Sequence, residues 1–211
     1  MLARGIEGYR TLSALMARAH LAGTEKGEPR YSRTAIFEAL ATSDLLVLTG
    51  CRKSAVQKAA REALADGDLE RAAVAVAEAL DSLLAAAGER NVVVELPVSG
   101  DPLEGELHDA LAQGARLTRE KHGLTSQQLP VVATTNAHYA RPEDKRLADV
   151  HVALRASMDL SEADPYLPAG LAHLRSGSEM HALLGRYPEA ITESVRLAVV
   201  GHDVVDAGVE A

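Results

Sequence analysis

Aromatic and sulfur-bearing side chains are scarce in this sequence. Its 211 residues include no Trp, one Phe, five Tyr and a single Cys, Cys51. One cysteine cannot form an internal disulfide, so nothing in the fold depends on an oxidising compartment, and a reducing cytoplasm is the expected location. With so few rings, the core has to be built from Leu, Val, Ile and Ala, a composition that suits helices packed on strands. Long hydrophobic runs are also missing. The opening residues, MLARGIEGYRTL, alternate charged and apolar positions and hold no apolar block of signal-peptide length. No later stretch is long and apolar enough to span a bilayer. Positive charge is in short supply: 22 Lys+Arg stand against 30 Asp+Glu, a formal net charge of −8. That balance argues against a free-standing nucleic-acid binder, because phosphate contact needs a clustered Lys/Arg surface. DNA contact is therefore expected only through a partner.

What is present is globular. Hydrophobic residues make up 47% and charged residues 25%, far from the low-hydrophobicity composition of disordered chains. Three continuous apolar runs have strand length: Leu45 to Thr49, Asn91 to Leu96 and Pro130 to Thr135. Each is apolar on both faces, as a parallel strand buried under helices must be. A helix of about residues 52 to 65 follows the first run, and Asp66-Gly67 breaks it. A second helix then carries Leu69, Ala72, Ala73, Val76, Leu80, Leu83 and Leu84 on one stripe, with Asp68 as N-cap and Gly88 beyond its end. After the second run, Asp101-Pro102-Leu103-Glu104 reads as N-cap, first-turn Pro and capping-box Glu of a helix to about His122. After the third, Arg141-Pro142-Glu143-Asp144 opens a helix with Leu147, Val150 and Leu154 on its buried side. Beyond residue 156 the chain is punctuated by Asp164-Pro165, Leu167-Pro168-Ala169-Gly170 and Arg175-Ser176-Gly177-Ser178. A last helix starts at Pro188 and carries Ala190, Ile191, Val195 and Ala198. No internal repeat or low-complexity tract interrupts this order.

Repeated strand-helix units give a parallel sheet or barrel with ligands gathered at the carboxyl ends of the strands. Those ends hold Gly50-Cys51-Arg52-Lys53, Glu95, and Asn136-Ala137-His138-Tyr139. Cys, Glu, Asn and His are donor types that suit a metal or a phosphate. Arg52 and Lys53 open a helix, where an anion meets backbone N–H groups, although adjacent basic residues are more often simply exposed. Glu95 ends an apolar strand, and a structural pair with Arg52 or Lys53 would satisfy it. The bland readings are a small buried hydrophobe for Cys51 and a helix-capping or carbonyl-bonding role for His138. His20, His108, His122, His151, His181 and His202 show no paired spacing and read as surface.

Taken in order, Gly5 to Leu12, Leu48 to Lys53, Val92 to Leu96, Val131 to Tyr139 and Ala172 to Met180 resemble an error-prone, C-family DNA polymerase. This family is related to the alpha subunit of DNA polymerase III, and the resembling region is its PHP (polymerase and histidinol phosphatase) domain. The resemblance covers about residues 2 to 199. It implies an α/β fold, a partial distorted (βα) barrel with parallel strands and a helical C-terminal tail. The implied organisation is a βα domain over 1–156, a helical wrapping segment over 157–200 leading toward a polymerase core, and a frayed tail over 201–211. Position by position, Cys51 matches the family's strand-end Cys ligand and His138 its late His ligand, while Asn136 stands where many PHP domains have Asp. The implied metal is zinc or manganese, held weakly because Asn offers a neutral oxygen. His173, Arg175 and Ser176 belong to a motif near the family's junction with the polymerase core, and Ser176 or Ser178 is expected to cap the helix of Glu179 and Met180.

Three departures bear on activity. The family's opening His-x-His strand, Asp-His pair, Glu and further His have no counterpart here. Pro97-Val98-Ser99-Gly100-Asp101 stands where relatives often carry an Asp-His pair. No Asp-x-Asp arrangement is able to hold the two Mg²⁺ of nucleotidyl transfer, a function of the palm. A small insertion, Thr125-Ser126-Gln127-Gln128, precedes the third strand. The expectation is a polymerase segment, non-catalytic alone, with an unpaired sheet edge that docks on a separately encoded polymerase fragment or on replication and repair proteins. The alternatives are a small metal-dependent phosphoesterase using Cys51, Glu95, Asn136 and His138, and a non-catalytic interaction module.

Overall fold

A computed structural model gives the fold. It describes residues 1–23, 25, 27–41, 45–163, 166–168 and 170–206, the last eight by backbone alone. Asp164, Pro165, Ala169 and residues 207–211, part of the expected punctuation and tail, lie outside the described residues. The elements are β1 (Leu2–Ala3), α1 (Gly5–Ala22), α2 (Arg33–Ala41), β2 (Leu45–Leu48), α3 (Ala55–Leu64), α4 (Leu69–Ala87), β3 (Val92–Pro97), α5 (Glu104–His122), β4 (Val131–Thr134), α6 (Lys145–Ala156), α7 (Gly177–Leu183) and α8 (Pro188–Asp206).

The three apolar runs become β2, β3 and β4, paired in parallel, and the sheet order is β1-β2-β3-β4. This is the α/β arrangement expected, consistent with part of a barrel. Alternation along the strands sorts side chains to two faces. Leu45, Val47, Val92, Val94, Leu96 and Ala133 enter the main core beneath α3, α4 and α5. Leu46, Val93 and Val132 form a second, smaller cluster, against which Leu48 and Leu197 of α8 pack. Glu95 and Thr134 share that second face by register.

The second helix has the caps read from its sequence. Asp68 accepts from the Arg71 N–H at 2.9 Å, and Gly88 ends the helix at φ +83°. Ala72, Val76 and Leu80 are fully buried. The Asp66-Gly67-Asp68 run is thus spent on a turn and a cap, with Asp66 paired to Arg71 at 2.6 Å.

Several expectations are corrected. The helices α1 and α2 went unread, although Leu12, Leu15 and Ala19 mark the inner side of α1. The helix after Asp101 starts later, at Glu104, with Leu103 as N-cap. Glu104 reaches back to the Ser99 and Gly100 N–H groups rather than to Asp101. The inner side of α6 is carried by Ala153, whereas Leu147, Val150 and Leu154 are 60%, 42% and 69% exposed. Val195 of α8 likewise faces solvent, and α8 continues past Gly201 to Asp206. On one side of the sheet β1, the edge strand, pairs antiparallel with β2, matching Leu2 with Leu46 and Ala3 with Leu45. On the other, α8 crosses β4 and its Ser194 hydroxyl engages Ala133. His108 is buried, 4% exposed, rather than on the surface.

Candidate functional site

The strand ends are built around Gly50. At φ +81° it turns the chain out of β2, a conformation that a side chain would strain. Both of its peptide groups are held. Its N–H donates to Glu95 Oε2 at 2.6 Å, and its carbonyl accepts from Nε2 of Gln57, a buried side chain on α3, at 2.9 Å. The Glu95 N–H in turn donates to Thr49 Oγ1 at 2.9 Å. Glu95 is thus satisfied by the Gly50 N–H and the Thr134 hydroxyl, not by the expected basic pair. Burial pushes its carboxyl above the usual range, and the two hydrogen bonds pull it back only in part. Ser54 caps α3 by accepting from the Gln57 N–H at 3.2 Å. Cys51, Arg52 and Lys53 occupy the turn between.

At the end of β3, Glu104 Oε2 gathers the Ser99 N–H, the Ser99 hydroxyl and the Gly100 N–H within 3.0 Å. Asp101 pairs with Arg61 of α3 at 2.9 Å and accepts from the Leu103 N–H. At the end of β4, Asn136 adopts the left-handed region at φ +45°, where Asn is among the better-tolerated residues. The following turn is pinned to the segment before α7: the His138 N–H donates to the Ala172 carbonyl at 2.7 Å, and the Ala172 N–H to the Tyr139 hydroxyl at 2.8 Å.

These turns enclose one cavity of about 330 Å³. Cys51 from the β2 end and Asn136 and His138 from the β4 end all line it, so the three sequence-predicted ligands share one space. Arg52 and Lys53 line it too, with Gln57, Arg61, Ser99 and Asp101, which sequence reading missed. The signal for Gln57 and Arg61 was their four-residue spacing on a helix that opens at a strand end. Glu95 does not line the cavity, because its side chain is committed to the opposite side of Gly50. Cys51 and His138 offer the sulfur and nitrogen donors that zinc prefers, and Asn136 a neutral oxygen. Among the described residues no three His, Cys, Asp or Glu side chains converge as a metal-binding group.

The motif near Ser176 is a capping box: Ser176 Oγ accepts from the Glu179 N–H, and Glu179 Oε2 accepts from the Ser176 N–H and hydroxyl, each at 2.7 Å. Those bonds to Ser176, with a weaker one from His173, hold the Glu179 carboxyl down to about 2. His173 is buried, its Nδ1 has no partner, and Tyr139 bridges it in parallel.

A parallel βα scaffold with polar residues gathered at its strand ends defines a site-bearing α/β protein of the barrel-like class. No protein-family model matches the chain. It is 45% identical over 198 residues to an error-prone DNA polymerase of Mycolicibacterium paratuberculosis, and 43% identical over 199 residues to that of Mycobacterium tuberculosis. Both alignments cover 93% of this chain and 16% of the relative. A DNA polymerase III subunit alpha of Thermus aquaticus is 29% identical over 192 residues, 90% of this chain and 14% of that protein. Over nearly its whole length, the chain is a homologue of one segment of the error-prone DNA polymerases, and it spans about one-sixth of their length. The polymerase reading is thereby favoured over the phosphoesterase. No described helix is long and apolar enough to cross a membrane.

Proposed function

We propose that this chain is the PHP-domain portion of an error-prone DNA polymerase. In this reading it supports DNA-directed DNA synthesis, in replication and in repair of damaged DNA, by docking on a polymerase core, and it acts in the cytoplasm. It transfers no nucleotide alone, since its Asp-x-Asp run, Asp66 to Asp68, is engaged in a turn and a helix cap. The observation that carries the reading is the shared cavity of Cys51, Asn136 and His138, at the strand ends where the resembling family places metal ligands. The exposed Leu147, Val150 and Leu154 of α6 also suit a protein that works against a larger partner. Cys51 and His138, with Asn136, would hold zinc or manganese, and Mg²⁺ would belong to the palm.

The test mixes the purified chain with a relative's polymerase from which the matching segment has been deleted, and follows primer extension on intact and damaged templates. The expected result is no incorporation by the chain alone, co-elution of the two pieces and restored extension. Incorporation by the chain alone, free of contaminating polymerase, or failure of the pieces to associate, overturns the reading. For the metal, Zn²⁺ or Mn²⁺ is expected to raise the melting temperature of the native chain but not of His138→Ala, because a ligand that binds only the folded state stabilises it.

A further inference from the structure

Three arginines that the function above does not use meet at the other end of the sheet. Arg4 follows β1, Arg90 precedes β3, and Arg196 lies on α8, yet all three line one cavity of about 630 Å³ at the amino ends of β2, β3 and β4. The Arg4 guanidinium donates through Nη2 to the Arg90 carbonyl at 2.7 Å, which fixes it at the rim. Arg196 engages Glu193 through Nε at 2.7 Å, so its fork of Nη groups is available to a further acceptor. On the facing wall, Gln128 Oε1 accepts from both the N–H and the hydroxyl of Thr125, at 2.9 and 3.0 Å. This leaves the Gln128 amide NH₂ as a donor beside Gln127. No Asp or Glu lines the cavity among the described residues.

We propose that this cavity binds the phosphate groups of a nucleotide or a single-stranded nucleic acid. Arg90 and Arg196 present guanidinium donors to one lining, where an anion meets complementary charge. Guanidinium is the group that matches phosphate oxygens in a two-pronged geometry, and the amide donors extend the same preference. The volume falls in the range of small-ligand sites. The net charge of −8 weighs against nucleic-acid contact over the surface as a whole. It is a property of the whole chain, whereas a phosphate within a Debye length responds to the lining. The site is distinct from the Cys51–His138 cavity, at the opposite end of the strands, and does not depend on the polymerase reading.

The experiment follows fluorescence anisotropy of a labelled single-stranded oligothymidylate against the full 211-residue chain at several salt concentrations. Unlabelled dTTP and inorganic phosphate serve as competitors, and direct titration of dTTP is read by thermal shift. The expected result is salt-dependent binding of the oligonucleotide, of dTTP, or of both. Which of them binds identifies the phosphate source. Arg90→Gln/Arg196→Gln should weaken binding by about tenfold or more and, for the oligonucleotide, lower the salt slope by about 0.7 per phosphate contact removed. Both side chains are exposed or half-exposed, and a melt matching the native chain shows that the variant is folded. Lys53→Gln, at the strand-end cavity, should leave binding unchanged. Failure of both probes to bind, an affinity indifferent to the arginine pair, or loss of binding in Lys53→Gln instead overturns the proposal. None of these outcomes touches primer extension by the reconstituted polymerase, so the two readings fail separately.

Discussion

The Ser194 hydroxyl on α8 closes the outer edge of the sheet by engaging both backbone groups of one residue, Ala133. It accepts from the Ala133 N–H at 2.9 Å and lies 2.7 Å from the Ala133 carbonyl, to which it can donate. In parallel β4 the N–H and C=O of Ala133 point away from β3, where a further strand would pair. An open edge of this kind is a template for pairing with another chain. Ser194→Ala strips both groups of their partner. We expect a loss of about 1–3 kcal/mol, read as a lower urea midpoint. The variant should also self-associate more in sedimentation, whereas Thr192→Ala, two residues away and exposed, should do neither.

The α6 helix supplies a contrast in packing. Leu154 is 69% exposed and Leu80 on α4 is fully buried. Leu80→Ala should cost about 2–5 kcal/mol, from lost burial plus the cavity left behind. Leu154→Ala should stay within about 0.5 kcal/mol of the native chain. Equal losses at the two positions, measured by denaturant unfolding, would return α6 to the core.

That contrast also marks how far the sequence could be read. Two-sided apolar runs identified β2, β3 and β4, because a buried parallel strand leaves no polar face to confuse with anything else. Local chemistry likewise gave both ends of α4, since Asp68 and Gly88 act on neighbours within one turn. The stripe Leu147, Val150, Leu154 has the same spacing as a core-facing stripe, and spacing alone does not say whether the covering surface belongs to this chain. Glu95 was misassigned because its partners, the Gly50 N–H and the Thr134 hydroxyl, come from neighbouring strands and are set by register. The shared cavity of Cys51, Asn136 and His138 was legible from the rule that strand ends gather ligands. Gln57, hidden under the same turn, had no signal beyond its helical spacing from Arg61.

The α4 and α5 helices approach closely at Gly114. A Cβ built there would lie 2.3 Å from Val76 Cγ1 and 2.9 Å from the Ala73 carbonyl oxygen. Val76 is fully buried and cannot swing away. Ala ordinarily favours a helix interior by about 1 kcal/mol over Gly, but overpacking costs about 1–3 kcal/mol. Gly114→Ala should therefore lower stability. Gly105→Ala, in the same helix with open space around it, should raise it or leave it unchanged. A stabilised Gly114→Ala in urea titration would mean that the helices are further apart.

His108 makes the fold sensitive to mild acid. Its Nε2–H donates to the Pro97 carbonyl at 3.0 Å, and the ring meets Tyr187 edge-on at 6.0 Å. Burial pushes its pKa down. The Pro97 hydrogen bond and the charges of Glu104 and Asp109 act upward, Arg186 acts downward, and the net direction is down. The native state therefore keeps the ring neutral at a pH where the unfolded chain, titrating at about 6.5, has taken a proton. With more protons bound in the unfolded state, stability rises with pH through that window and is lost as pH falls below about 6.5 toward the native value. Glu95 works in the opposite sense. Its raised carboxyl pKa means that the native state holds the extra proton, so its contribution grows as pH falls toward the ordinary carboxylate range. Comparing urea midpoints at pH about 7.5 and about 5.5, above the carboxylate range, isolates the histidine: His108→Gln should show a smaller drop between the two than the native chain. An unchanged drop in His108→Gln would place the acid sensitivity elsewhere.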